Sequence, residues 1–150
     1  MDKVPQRNQL AQIYRKPLRQ LEKAMPLYIK NPNVYQLLGL LFSVSFLFVE
    51  TNNQQIILIS LILFLDWLDG ATARKYSLIS KKGYLIDVVV DRLSEGLIFA
   101  SLLGSLTGRV FFAFYLLNNI FVFYSLKSSR HTIIALRFFY LVFLIIESFL

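Results

Sequence analysis

Four aspartates stand in two pairs, and the spacing within each pair places its two side chains on one face of a helix. Asp66 and Asp69 are three residues apart, and Asp87 and Asp91 are four residues apart; both separations make helical neighbours. A short basic connection joins the pairs, so they are expected to face each other at similar depth. Four converging carboxylates in a poorly solvated site need protons or cations to neutralise them. Oxygen ligands suit hard cations such as Mg²⁺ or Mn²⁺, and four carboxylates can hold two ions about 4 Å apart, as phosphoryl-transfer sites do.

Small residues and one arginine accompany the acidic pairs. Gly70 follows Asp69 directly, and Gly83 lies four residues before the second pair. Glycine allows close approach of a phosphate-bearing ligand to the backbone, and Ala73 leaves room on the adjacent turn. Arg74 can bind a phosphate bidentately. The structural alternative is that the glycines only end helices and that the aspartates cap helices or pair with Arg74, Lys81 and Arg92.

The composition of the chain limits the kind of protein that can carry these residues. Of its 150 residues, 56% are hydrophobic and only 17% are charged, and the mean hydropathy is +0.56. Soluble domains hold about 45–50% apolar and about 25% charged residues, so a soluble single domain is excluded. The absence of cysteine and the single histidine exclude disulfides, thiolate zinc sites and any site that needs two histidines.

Apolar segments dominate the chain after residue 33, where the last of the four prolines has passed. A membrane-spanning helix needs about 20 residues, and the length of the segments favours helix. We therefore predict an all-α, polytopic transmembrane bundle over residues 34–150, preceded by a basic segment over residues 1–33. The predicted spans, about five in number, are 34–49, 56–66, 84–106, 110–126 and 132–150.

Charge sets the expected orientation. Residues 1–33 hold seven basic and two acidic residues, a net charge of +5, and the connections after the second and fourth spans are also basic. The positive-inside rule places all three, and with them the acidic site, in the cytoplasm. Residues 6–30 alternate apolar and basic positions in the manner of an amphipathic helix that lies on membrane lipids or packs on the protein's own cytoplasmic face. No nucleic-acid-binding motif accompanies the positive charge, and we expect no nucleic-acid partner.

The acidic, glycine and arginine positions together resemble the signature of the CDP-alcohol phosphotransferases, also called CDP-alcohol phosphatidyltransferases. The resemblance rests on Asp66-x-x-Asp69-Gly70-x-x-Ala73-Arg74, eight residues, and Gly83-x-x-x-Asp87-x-x-x-Asp91. A second segment resembles the Pro-Asn segment that leads into the first span in this family. It is Asn31-Pro32-Asn33-Val34-Tyr35-Gln36-Leu37-Leu38-Gly39.

This resemblance implies an integral membrane enzyme, usually a homodimer, that moves a phosphatidyl group from CDP-diacylglycerol to an alcohol and releases CMP. By the family pattern, two divalent metals would be held by Asp66, Asp69, Asp87 and Asp91. Asp91 would also be the general base. The CDP site would be formed by Asp66, Asp69, Gly70, Ala73, Arg74 and Gly83.

The acceptor is indicated by the residues that follow the last aspartate. Asp91-Arg92-Leu93-Ser94-Glu95-Gly96 resembles the branch that uses inositol 1-phosphate, with Glu95 where aspartate is usual. Cationic candidates for the acceptor phosphate are Arg92, Arg130 and Arg137. Their structural alternatives are salt bridges, of Arg137 with Glu95 or another buried carboxylate and of Arg92 within the protein.

Other functions stay open at this stage. The acceptor could be glycerol 3-phosphate, or the chain could be a non-catalytic membrane protein that binds divalent cations around its carboxylates. An inactive relative is a further alternative, since the family commonly has six spans and five are predicted here. A prokaryotic inner membrane is the expected location.

Overall fold

A computed structural model of the chain describes Glu22, residues 29–128 and residues 134–150. Within these ranges every regular element is helical and no strand occurs, which confirms the predicted all-α class. The amphipathic helix predicted over residues 6–30 lies outside the described residues, apart from Glu22, Ile29 and Lys30. The helices are α1 (Pro32–Ser45), α2 (Asn52–Lys75), α3 (Lys81–Ser101), α4 (Leu106–Ser128) and α5 (Leu136–Glu147), with a 3₁₀ turn at Phe46–Phe48 after α1.

The first four helices each begin directly after a residue whose side chain accepts a hydrogen bond from a backbone N–H of the first turn. Such caps satisfy backbone donors that have no partner inside the helix. At α1, Pro32 adds a fixed backbone angle in the first turn. The capping residues are Asn31, Thr51, Ser80 and Ser105, with N···O distances of 2.9–3.4 Å.

These caps account for most differences from the spans predicted by hydropathy. The helix α2 begins at Asn52 rather than residue 56, because Thr51 caps a polar first turn that hydropathy does not detect. The helix α3 ends at Ser101, and α4 begins at Leu106 rather than residue 110, because a turn over residues 102–105 ends with the Ser105 cap. The helix α5 has only 12 residues, so the predicted span over 132–150 is shorter than expected.

The turn between α3 and α4 depends on the absence of a side chain at Gly108. A Cβ added there would lie 1.8 Å from the backbone oxygen of Leu102. We predict that Gly108→Ala destabilises the protein by about 1–3 kcal/mol, as overpacking does, because a backbone atom cannot move aside cheaply. Thermal unfolding in detergent measures this effect. Gly104→Ala is the matched control, since nothing lies within 4 Å of a Cβ at that position; equal melting temperatures for the two variants would contradict the prediction.

The bundle is arranged around α1, α2 and α3. The helix α1 packs against both α2 and α3, α5 lies on α2, and α4 lies on α3. A buried hydrogen-bonded pair fastens α1 to α3: the Ser94 and Ser43 hydroxyl oxygens are 2.5 Å apart, and Ser43 also donates to the carbonyl of Gly39. The main core consists of Phe46, Ile59, Ile62, Ile98, Phe99, Leu136, Tyr140 and Leu144.

The outer surface of the bundle is apolar over a large area. Phe114, Leu116, Leu117 and Ile120 on α4 are all more than half exposed, which a soluble monomer would rarely tolerate. Two segments, α2 and residues 106–123 of α4, are long and apolar enough to cross a membrane, and the apolar segment 32–48 is shorter. Membrane-compatible helices are thus present, while five spans remain a prediction.

Candidate active site

Three of the four predicted aspartates meet between α2 and α3. Asp66 and Asp69 come from the C-terminal half of α2, and Asp87 comes from the second turn of α3. One carboxylate oxygen of each lies within 4.8 Å of those of the other two. The i, i+3 spacing on α2 gives two ligands on one face, and the packing of α3 against the neighbouring helices brings the third. This arrangement could hold a metal ion.

Asp69 is the most deeply placed member of the cluster. The residue is 5% exposed, and its Oδ2 atom has no hydrogen-bond partner among the described residues. A buried carboxylate oxygen without a partner is costly, and a cation is the partner that its charge favours. The three residues also offer only hard oxygen ligands, as Mg²⁺ and Mn²⁺ prefer. The cluster therefore fits a hard divalent cation.

The fourth aspartate has a different partner. Asp91 lies on the same side of α3, and its Oδ1 atom accepts a 2.5 Å hydrogen bond from the Arg137 guanidinium of α5. Arg137 also lies 3.7 Å from Glu95, which in turn is paired with Arg92 at 2.8 Å. The ion pairs that the sequence offered as the structural alternative for Arg92 and Arg137 are thus present. They form a chain of alternating charges beside the aspartate cluster.

Two members of this chain are almost entirely removed from solvent. The side chains of Arg137 and Glu95 are 7% and 2% exposed. Removing one charge of such a network leaves its partners buried and uncompensated, which typically costs about 3–5 kcal/mol. We therefore predict that Arg137→Gln lowers the stability of the protein by about 3 kcal/mol, measured as thermal unfolding in detergent.

An exposed arginine provides the control for this prediction. At the surface, Arg109 donates a hydrogen bond to the carbonyl oxygen of Leu103. Arg109→Gln should change the melting temperature very little. If both substitutions lowered it equally, the buried ion pairs would not be what stabilises α5 against α3.

Arg74, at the end of α2, forms a two-point ion pair with Glu22. Its Nε atom donates to one carboxylate oxygen at 3.1 Å and an Nη atom donates to the other at 2.5 Å. The guanidinium lies over Gly70, where a Cβ would come within 3.0 Å of it. Gly70 thus leaves room for the arginine that follows one turn later. The backbone N–H of Gly83 donates to Ser80 at the start of α3.

A cavity links the two groups of charged residues. Its walls include Asp66 and Asp69 from the cluster and Asp91 and Arg137 from the ion-pair chain. Asp91 and two members of the cluster therefore border the same cavity inside the bundle. Further lining residues are Tyr35, Gln36, Gly39, Leu40, Ile62, Val90 and Ser94.

Comparison with known proteins shows the family to which the chain belongs. A family model described as CDP-alcohol phosphatidyltransferase matches residues 30–142. The match covers more than two thirds of the chain and includes all four aspartates, Arg74 and Arg137. The chain belongs to the CDP-alcohol phosphatidyltransferase family. No curated protein and no solved structure gave a match.

Members of the CDP-alcohol phosphatidyltransferase family are phosphotransferases for substituted phosphate groups, which transfer the phosphatidyl group of a CDP-linked substrate to an alcohol. The family predicted from the sequence is thereby confirmed. The branch that uses inositol 1-phosphate is not confirmed. Of the predicted site residues, Arg130 lies outside the described residues. The roles predicted for Gly70, Ala73, Arg74 and Gly83 in CDP binding stay predictions.

Two residues in contact with the site were not assigned a role from the sequence. Gln36 on α1 donates to Asp87, and Glu22 pairs with Arg74. Gln36 lies four residues after Pro32, in the segment 31–39 that resembles the family's Pro-Asn segment. That segment was the one available signal, while nothing in the local sequence distinguishes Glu22.

Proposed function

We propose that this protein transfers the phosphatidyl group from CDP-diacylglycerol to a phosphate-bearing alcohol, inositol 1-phosphate, and releases CMP. The observation that supports this best is the meeting of Asp66, Asp69 and Asp87 within 4.8 Å of one another in a chain of the CDP-alcohol phosphatidyltransferase family. A cluster of this kind could hold divalent cations, and these would let it accept a pyrophosphate substrate whose charge the carboxylates alone would repel.

The cation site in this proposal consists of Asp66, Asp69 and Asp87, with Asp91 as the fourth ligand in a site for two ions, Mg²⁺ or Mn²⁺. The chemistry supplied by bound divalent cations is neutralisation of the pyrophosphate charge, which improves CMP as a leaving group. Gly70, Ala73 and Gly83 permit close approach of the donor phosphates, and the carboxylates would hold the divalent cations that offset the charge of those phosphates. Arg74 binds a phosphate of the donor after exchange of its contact with Glu22.

Asp91 is the proposed general base. The hydroxyl oxygen of the acceptor forms the new bond to the lipid-bearing phosphorus, the bond from that phosphorus to the CMP oxygen breaks, and the hydroxyl proton moves to the Asp91 carboxylate. The ion pair between Arg137 and Asp91 supports this role. It fixes the orientation of the Asp91 carboxylate beside the cluster.

Positive charge next to the base favours an acceptor that carries a phosphate. Arg92 and Arg137 both lie in the ion-pair chain that contains Asp91 and Glu95, and Arg130 is the third candidate. A phosphate can replace a carboxylate in a bidentate contact with arginine. Glycerol 3-phosphate shares this feature, so it is the competing acceptor.

The membrane arrangement is proposed on charge and apolar surface. About five spans, with the basic first 33 residues and the acidic site on the cytoplasmic side of a prokaryotic inner membrane, would let the lipid stay in the bilayer while the acceptor enters from water. The exposed apolar side chains of α4 would face lipid or the second subunit of a homodimer.

The decisive experiment measures CMP release by the detergent-purified protein with CDP-diacylglycerol and Mg²⁺ or Mn²⁺. Parallel reactions contain inositol 1-phosphate, glycerol 3-phosphate, free inositol, serine or no acceptor. We expect release that requires both the metal and inositol 1-phosphate. Release with glycerol 3-phosphate and with no other acceptor would overturn the proposed choice of inositol 1-phosphate. The absence of release with every acceptor would overturn the proposed activity.

A further inference from the structure

Gln36 of α1 contacts the aspartate cluster from a third helix. Its Nε2 atom donates to Oδ1 of Asp87 at 3.2 Å. The amide therefore connects α1 with a carboxylate of α3 that belongs to the cluster. A sequence separation of 51 residues shows that only the packing of α1 makes this contact.

The other end of the same amide is buried and unpaired. The Oε1 atom of Gln36 has no hydrogen-bond partner in the part of the chain that the structure describes, and it is closed off from solvent. A buried amide normally satisfies both ends. Here the carbonyl lacks a partner while the amide nitrogen donates to Asp87, so donation to the cluster is the main polar interaction of this side chain.

Physical reasons make such a donor important for a group of close carboxylates. Like charges at these distances repel each other strongly in a poorly solvated site. The terminal torsion of an aspartate is also broad, so its carboxylate can rotate at little cost. An amide N–H that donates a hydrogen bond to the Asp87 carboxylate offsets part of this repulsion and limits the rotation of Asp87.

We propose that Gln36 is a positioning residue, which holds the carboxylate of Asp87 next to those of Asp66 and Asp69 in the arrangement that binds the divalent cation. This inference rests on the proposed function, because it assigns the cluster to a cation. It makes α1, which carries none of the four aspartates, a part of the site. Hydrogen bonds to metal ligands typically change metal affinity by about 10–100-fold.

The test compares two glutamine-to-methionine substitutions. Gln36→Met keeps the length of the side chain and removes its donor. Gln55→Met is the matched control: Gln55 is buried, and its Oε1 atom accepts a 2.8 Å hydrogen bond from Tyr140. It lies eleven residues before Asp66, about 16 Å along α2. Both variants lose a hydrogen bond between helices, but only the first loses a contact with the cluster.

The primary measurement is Mn²⁺ binding by electron paramagnetic resonance on the detergent-purified protein, followed by the Mn²⁺ concentration that half-activates CMP release. We expect Gln36→Met to weaken Mn²⁺ binding about 10-fold and to raise the half-activating concentration by the same factor. Gln55→Met should leave both values unchanged, whatever it does to the melting temperature. Gln36→Asn, whose amide is one methylene shorter, is the second variant in case Gln36→Met does not fold, with the same expected direction.

Two outcomes would overturn the positioning role: wild-type Mn²⁺ affinity in a folded Gln36 variant, or equal weakening in Gln55→Met. Failure of the proposed function gives a different result. In that case the wild-type protein binds Mn²⁺ without releasing CMP, and the difference between the two glutamine variants persists in the resonance spectra.

Discussion

Replacing Asp91 with asparagine is expected to lower the rate of CMP release by about 10²–10⁴-fold, the range that a general base contributes. The amide is nearly the same shape and can still accept the hydrogen bond that Arg137 donates to Asp91. It has no capacity to take the proton of the acceptor hydroxyl. The fold should persist, because the Asp91 side chain is 28% exposed and Arg137 keeps Glu95 as a partner. The measurement is the rate of metal-dependent CMP release at saturating donor and acceptor.

Mn²⁺ binding by the Asp91→Asn protein distinguishes the role of Asp91 as a base from a role as a metal ligand only. The three aspartates within 4.8 Å of one another do not include Asp91, so most of the binding should remain. Glu50→Gln removes a carboxylate from the exposed connection between α1 and α2 and should keep full activity. Substantial CMP release by an Asp91→Asn protein with intact Mn²⁺ binding would refute the assignment of Asp91 as the base.

Replacing Asp69 with asparagine should abolish both cation binding and activity. Asp69 is buried, and its Oδ2 atom has no hydrogen-bond partner among the described residues, so its charge is available for a cation. Loss of several kcal/mol of charge stabilisation in the transition state corresponds to a decrease in rate of about 10³-fold or more. Mn²⁺ resonance and CMP release measured on the same preparation check both parts.

Thermal unfolding with and without Mn²⁺ tests the role of Asp69 independently of activity. Without metal, Asp69→Asn should be at least as stable as the wild type, because it removes one of three mutually repelling carboxylates. With Mn²⁺ present, the wild-type protein should gain stability by binding the ion in its folded state, and the variant should not. A variant that is much less stable than wild type without metal would show that Asp69 is a structural residue instead.

The predictions from sequence were most accurate for features that depend on nearby residues. The apolar composition and the spacing of Asp66 and Asp69 were sufficient to predict helices and a shared face. The exact ends of the helices were not predictable from hydropathy, because they depend on single capping side chains such as Thr51 and Ser105. The short α5 likewise begins without a side-chain cap.

The candidate site was predictable to the extent that a motif describes it. Asp66, Asp69 and Asp87 meet as their spacing suggested. The partner of Asp91 could not be chosen, since an arginine inside an apolar helix is equally compatible with an acceptor phosphate and with a buried carboxylate. The fold brings Arg137 to Asp91 across 46 residues of sequence.

The helical class, the membrane-compatible helices and the acidic residues of the candidate site thus follow from composition and from periodicity within single helices. The side chains from other elements that contact these residues are known only from the packing of the helices. Gln36 reaches Asp87, Arg137 reaches Asp91 and Glu22 reaches Arg74 across 46–52 residues. Such contacts depend on how whole helices pack, and no local pattern encodes them.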